Sequence, residues 1–190
     1  VVAARVHAEH SQMRHLLRSL RVRYFAGGLL DDPELIRAAA ADAGIAEHLD
    51  EWLADPEVEK ELQADRARAR QPIPAANILD HKLANWSGGR RYSCPSYEIT
   101  RTADDVTIAV PGFQPFAVYD TILANLCPGL DRREPPESVL EVLEWRGFPL
   151  STQEVATVCD ISFDEAREEL GRVGQQSYAG ADGYWEPAGS

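Results

Sequence analysis

Long apolar runs are missing from this 190-residue chain. No stretch approaches the roughly 20 residues that a membrane-spanning helix needs, and no leader-like pattern of basic, apolar and small residues is visible. Cysteine is scarce as well. Cys94, Cys127 and Cys159 are odd in number and far apart, which suits neither a disulfide framework nor a zinc site. The expectation is a protein of the reducing cytoplasm, with no membrane contact and no bound metal. Positive charge is also short: 19 Lys and Arg face 31 Asp and Glu, for a net charge of −12. The deficit is uneven, −3 over residues 1–70 (10 basic against 13 acidic), −1 over 71–135 (6 against 7) and −8 over 136–190 (3 against 11). What remains, 44% apolar and 26% charged residues, is the balance of a folded globular chain. Its length suits one large or two small domains.

Residues 1–70 read as all-helical. Val1–Phe25 is helix-like, with Leu16, Leu17, Leu20 and Tyr24 on an apolar stripe ended by Gly27-Gly28. Asp32-Pro33-Glu34 and Asp55-Pro56-Glu57 repeat one helix-start signal: a capping Asp, Pro at the first position and Glu in the first turn. They predict one helix to about Ala43, stopped by Gly44, and another from Pro56 to about Arg70. A short helix carrying Leu49, Trp52 and Leu53 lies between. Gln71–Arg91 holds Pro72, Pro74, Gly88 and Gly89 without a clean period and reads as a loop. A loop of about 20 residues is uncommon unless it is functional or disordered.

Residues 92–126 are the most informative. Ser96–Arg101 and Val106–Val110 read as strands, because β-branched and aromatic residues recur between turn signals. Ala103, Asp104 and Asp105 connect them. Pro115 suits the first position of a helix whose Phe116, Tyr119, Ile122, Leu123 and Leu126 share one face, and Cys127-Pro128-Gly129 stops it. Apolar residues are expected on both faces of the strand pair. A lone hairpin is marginal in water, so further strands are expected from outside these 190 residues or from a second chain.

A strand opening just after Cys94-Pro95, a hairpin partner, a Gly112-Phe113-Gln114-Pro115 turn and a closing helix resemble the C-terminal half of a thioredoxin fold. The branch they are similar to is the DsbA/FrnE-like family. The resemblance implies an α/β protein in which residues 1–91 are a helical insertion with its connecting loop and 92–135 the C-terminal half of the thioredoxin-like domain. It implies thiol–disulfide oxidoreductase chemistry, or thiol-dependent redox or isomerase chemistry, on a small-molecule or protein thiol. The catalytic cysteine motif is then expected upstream of Val1. Cys94 and Pro95, with the proline cis, are implied to bind substrate together with Gly112 and Gln114. A cysteine before that proline departs from the Thr or Val usual in the family. The cofactor implied is a low-molecular-weight thiol, with none held tightly. A homo-oligomer or a protein client is the macromolecular partner implied. The alternative is a non-enzymatic adaptor that binds a client protein through the thioredoxin-like and C-terminal modules.

Pro135-Pro136 opens the last segment, 136–190. Ser138–Arg146, a helix after Ser151 or Thr152, and Phe163–Val173 read as three helices, and Tyr178–Trp185 as a β-wing. The order resembles a winged helix-turn-helix. Its third helix, however, carries Asp164, Glu165, Glu168 and Glu169 against Arg167 and Arg172, whereas a recognition helix needs cations for the phosphates. A protein-contact or structural module is expected, not a nucleic-acid binder. His7 and His10 at i, i+3 invite a metal reading, but no third ligand follows and the motif is not His-Glu-x-x-His. Both are expected on a solvated helix face. Arg14, Arg18 and Arg21 form a basic stripe, expected to meet either an anionic ligand or an acidic patch of the same chain. For DNA the expectation is direct: an anisotropy titration of the chain with duplex should show no salt-sensitive micromolar binding. A steep fall of affinity with salt, the mark of phosphate contacts, would overturn it.

Overall fold

The helix-start signals of the sequence fall where helices begin in the computed structural model, which describes residues 1–189. Helices α1 (Val2–His7), α2 (His10–Phe25), α3 (Pro33–Asp42), α4 (Leu49–Leu53) and α5 (Pro56–Ala69) come first. The Asp32 carboxylate accepts from Glu34 N at 2.9 Å and that of Asp55 from Glu57 N at 2.8 Å, so both Asp-Pro-Glu motifs cap as expected. The continuous helix expected over 1–25 is broken at Ala8 and Glu9. Glu9 is extended and forms a capping box with Gln12, whose side chain accepts from Glu9 N at 3.2 Å. Tyr24 is exposed, outside the expected stripe.

Strands β1 (Ala84–Trp86) and β2 (Gly89–Arg91), β3 (Tyr97–Arg101) and β4 (Val106–Val110), and helix α6 (Phe116–Leu126) follow. Then come α7 (Val139–Arg146), α8 (Thr152–Cys159), α9 (Phe163–Val173), β5 (Gly174–Ala179) and β6 (Asp182–Pro187). The protein is thus a mixture of helices and three two-stranded antiparallel sheets, β1–β2, β3–β4 and β5–β6. Among the described residues no helix is long and apolar enough to cross a membrane. The sequence divides the chain serially at 91/92 and 135/136. By packing, the chain forms two compact units, Val1–Val58 with Arg133–Ser190, and Glu59–Arg132.

The first unit has two apolar cores. Leu16 of α2, Ala39 and Ala40 of α3, Ile45 and Leu49 make one. Val139, Val142 and Leu143 of α7, Leu150, Val155, Leu170 and Trp185 make the other. Serines cap all three helices of the second core: Ser138, Ser151 and Ser162 accept from Glu141 N, Glu154 N and Glu165 N at 3.2–3.3 Å. Leu150 and Trp185 exchange backbone hydrogen bonds of 3.0 and 2.7 Å. The Trp185 indole donates to Thr152 Oγ1 at 2.9 Å, which donates to Asp182 at 2.7 Å.

Arg18 joins the two cores. Its Nε and Nη2 donate to the two Glu154 carboxylate oxygens at 2.7 and 2.6 Å, and Nη2 donates to Pro149 O at 2.5 Å. The guanidinium also lies 5.0 Å from the Phe148 ring centre and 5.3 Å from that of Tyr184. Of the two fates open to the basic stripe, Arg18 has met an acid of its own chain, while Arg14 and Arg21 are exposed. A second tie runs from Ala181 N to Ala26 O, 2.9 Å. Gly180 beside it has φ +84°, and a Cβ there would lie 2.5 Å from Ala26 O. Only glycine permits that approach.

The second unit is thinly cored. Its buried apolar residues among those described are Ala76, Leu83, Val110, Pro111 and Leu126. Residues 71–91, expected to be a loop, contain a kinked 3-10 stretch, Pro74–Lys82, and the β1–β2 hairpin. The missed signal is Gly88-Gly89. Gly89 has φ +123°, and a Cβ on Gly88 would strike the Trp86 ring at 2.4 Å. Strand β3 begins at Tyr97, one residue later than expected, and Pro115 caps α6 from outside the helix rather than opening it. Register corrects a further expectation. Tyr97, Ile99 and Arg101 pair with Val110, Ile108 and Val106, whereas Glu98 and Thr100 pair with Ala109 and Thr107. Alternation therefore puts the large apolar residues on one face only. That face meets α6 through an edge-on Tyr97–Tyr119 contact of 5.5 Å and Arg101 donating to Leu126 O at 3.0 Å. Among the described residues neither outer edge of β3–β4 carries a further strand.

The Arg18 junction gives a pH-dependent test. Burial pushes the Glu154 carboxyl up, but Arg18 and the Ser151 backbone N–H outweigh it and hold the carboxyl below the usual range. A depressed carboxylate contributes stability above its unfolded pKa and loses it as pH falls through the folded value. Glu154→Gln should cost about 1–3 kcal/mol near neutrality, since Arg18 keeps a largely buried charge without its partner. The gap from wild type should shrink below about pH 4. Denaturant unfolding at pH 7 and pH 3 checks this, and an equal gap at both assigns the cost to lost packing.

Candidate functional site

The sequence between β2 and β3 is short in regular structure and rich in hydroxyls, and those hydroxyls replace the missing ladder. Tyr92 N donates to Ala69 O at 2.8 Å. The Tyr92 hydroxyl donates to Glu98 at 2.6 Å and accepts from Ile73 N at 3.3 Å. Burial, helped by Glu98, pushes its phenol up to about 12, so Tyr92 remains a neutral donor at any ordinary pH. Ser93 Oγ donates to Lys82 O at 2.5 Å. Ser96 Oγ donates to Ser93 O and accepts from Gly112 N at 2.9 Å. The loop carrying Cys94 and Pro95 is therefore staked at both ends, to the end of the 3-10 stretch and to the turn after β4. The Cys94–Pro95 bond is cis.

The turn is shaped from the other side. Gly112 has φ +69°, and a Cβ there would lie 3.1 Å from both Lys82 Cβ and Lys82 O. Lys82 Nζ donates to Phe113 O at 3.3 Å, and the Gln114 amide donates to Pro111 O at 3.1 Å. Between these loops and α6 lies a hollow of about 260 Å³ lined by Pro95, Tyr97, Phe113, Gln114 and Tyr119. Phe113 is 73% exposed, so its ring is available to whatever enters. Burial, with Tyr97 nearby, raises the Tyr119 phenol, leaving the lining uncharged. The hollow is open, mostly apolar and smaller than the roughly 300–1,000 Å³ of an enclosed ligand pocket, so it could seat only part of a ligand.

Of the four residues singled out by sequence, Pro95 and Gln114 line the hollow, and Gly112 is tied to the same loop through Ser96. Cys94 is exposed beside Pro95 and is not itself part of the lining. Sequence reasoning did not assign Tyr97, Phe113 or Tyr119 to a site. Phe116 and Tyr119 are expected on the apolar face of α6, yet Phe116 is 69% exposed. Lys82 was missed altogether. Cys127, at the end of α6, is also exposed. Cys159 is half-buried, and burial followed by Glu169 and Glu141 raises its thiol.

A second hollow, about 340 Å³, is lined by His7, Glu51, Trp52, Ala54, Asp55 and Pro56. His7 is exposed, as expected, and its ring sits 2.9 Å from Asp55 and stacks on Trp52, which stacks on His48 as well. Asp55 has one oxygen on His7 and the other on Glu57 N, which makes it a brace between α1 and α5. The break at Ala8–Glu9 puts His7 and His10 in different helices, so they do not share a helix face. Among the described residues no group of three or more His, Cys, Asp or Glu could hold a metal ion. No protein-family model matches the chain, and no curated protein matches it.

The turn opposite Cys94 can be tested by substitution. Gly112→Ala should cost about 1–2 kcal/mol from the left-handed backbone and more from displacing Lys82. Gly27→Ala, with φ +95° but nothing within 4 Å, should cost the backbone share alone. Denaturation midpoints of the two variants compare them, and equal losses would mean that Lys82 yields freely.

Proposed function

We propose that residues 92–135 are the C-terminal half of a DsbA/FrnE-like thioredoxin fold and that the protein carries out thiol–disulfide exchange at the Cys94–Pro95 loop. The observation that carries this reading is an exposed thiol next in the chain to a ring-lined hollow, on loops staked together by serine hydroxyls. Thiol–disulfide exchange needs a thiolate with access to a disulfide sulfur. The Cys94 thiol loses its proton to solvent and its sulfur attacks one sulfur of the partner disulfide. A mixed disulfide forms, the old S–S bond breaks and the second partner thiolate leaves. The order hairpin, Gly-x-Gln-Pro turn and closing helix supports the fold assignment. So do the open β3–β4 edges and the exposed Phe116 and Leu123, because in a thioredoxin-like sheet further strands and helices cover such surface.

The last segment we read as a winged-helix-like module acting as a protein contact. Three capped helices, the Leu150–Trp185 bridge and the β5–β6 hairpin support the shape, and the exposed acids of α9 support the role. The same exposed rings and acids favour a second reading, a non-enzymatic adaptor for a client protein.

Native protein treated with a small disulfide and mapped by peptide mass spectrometry decides between them. Cys94 should form the mixed disulfide faster than Cys127, although both are exposed. Cys159 should be slowest, because its raised pKa leaves less thiolate. Equal rates at Cys94 and Cys127 would remove the thiol-site reading and leave the adaptor.

A further inference from the structure

We propose that Lys82 selects the charge of the disulfide or thiol taken at Cys94, and that this ligand carries an anionic group such as a carboxylate. The inference rests on the thiol-site reading above. Lys82 is one of only two lysines in the chain, and both its ends belong to the site. Its carbonyl accepts from Ser93 Oγ at 2.5 Å, one residue before Cys94, and its ammonium donates to Phe113 O at 3.3 Å on the wall of the hollow. The stem between them lies against the bare Cα of Gly112, where a side chain would come within 3.1 Å of Lys82 Cβ and 3.3 Å of Cδ. The ammonium thus reaches the edge of the hollow through one exposed hydrogen bond to Phe113 O, a residue that lines it.

Its charge is not answered. The other cations of these loops are engaged: Arg90 pairs with Asp80 at 2.9 Å, Arg101 with Asp104 at 2.6 Å and Arg132 with Asp120 at 3.0 Å. Arg91 is the exception, donating to Tyr92 O at 2.8 Å. Glu98, the carboxylate on β3, is taken by the Tyr92 hydroxyl. Among the described residues no carboxylate pairs with Lys82, which has a neutral carbonyl as its partner. An ammonium has three donors, so two remain for a ligand. The rings of the hollow accommodate an apolar body, and a carboxylate on the same molecule supplies the missing counter-charge through a charge-assisted hydrogen bond. Covalent chemistry is unchanged by this. The ligand disulfide is reduced as Cys94 is oxidised, with one thiolate leaving and taking a proton from solvent.

The test uses the full chain and three disulfides of matched size: dithiodipropionate (anionic), bis(hydroxyethyl) disulfide (neutral) and cystamine (cationic). The rate of mixed-disulfide formation at Cys94 is read by mass mapping. Wild type should prefer the anionic probe to the neutral one by about threefold, the scale of one partly exposed ion pair, with the cationic probe slowest. Lys82→Gln should abolish the order and Lys82→Arg should keep it. Arg91→Gln should leave the order in place. Three results would overturn the inference. They are no charge order in wild type, an equal slowing of all three probes in Lys82→Gln, which marks a loop staple only, or loss of the order in Arg91→Gln, which marks a diffuse positive field. Failure of the underlying thiol site looks different: Cys94 then reacts no faster than Cys127 with any of the three.

Discussion

One guanidinium decides how the first unit holds together. Arg18 comes from α2, in one apolar core, and Glu154 from α8, in the other, and the two sit 136 residues apart in sequence. The pair is bidentate, which fixes orientation as well as distance. Glu154 has a second task, since its carboxylate also accepts from Ser151 N at 2.8 Å and closes the capping box of α8. The start of α8 and the docking of α2 are thereby tied to one carboxylate. Removing that carboxylate disturbs a helix end and strands a charge in the same step. The cost of ordering Arg18 is offset by the Phe148 and Tyr184 rings that flank it, through cation–π attraction and burial of the stem.

The second unit is built on a different principle. It buries few side chains, and its order comes from hydroxyls and carbonyls: Tyr92 to Glu98, Ser93 to Lys82, Ser96 to Gly112. A short network of this kind can fix loops without a large core, because each polar group has a defined partner. It leaves apolar rings on the surface. Phe113 and Phe116 are exposed to 73% and 69%, where an ordinary core would have absorbed them. The candidate site occupies this part of the chain, and the two facts are linked: a ring that packs inward is unavailable to a ligand.

Local signals were legible where they act within a few residues. Both Asp-Pro-Glu starts, the cap of α8 at Ser151 or Thr152 and the strand pair β3–β4 follow from short-range chemistry. Errors arose where two local rules competed or where geometry is set by partners distant in sequence. Apolar periodicity over 1–25 hid the Glu9–Gln12 capping box. The paired face of β3 and β4 depends on register, which a one-residue shift reverses. The grouping of residues 1–58 with 133 onward could not be read at all, since Arg14, Arg18 and Arg21 look alike until Glu154 chooses one. Pro95, Gly112 and Gln114 are singled out by the family resemblance, whereas Lys82 enters no motif and is defined only by what surrounds it.

Arg18 and Lys82 show how the same element of chemistry divides into two roles. Each is a cation that reaches a backbone carbonyl, Pro149 O for one and Phe113 O for the other. Arg18 has a carboxylate from its own chain and rings on its flanks, so its interactions are closed and its role is cohesion. Lys82 has the carbonyl and the bare Gly112 turn, but among the described residues no carboxylate. A compact ammonium with spare donors is suited to a counter-ion that comes and goes, while the planar fork of arginine suits a permanent bidentate partner. The arrangement of partners, more than the identity of the charge, separates the residue that holds the fold from the residue proposed to meet a ligand.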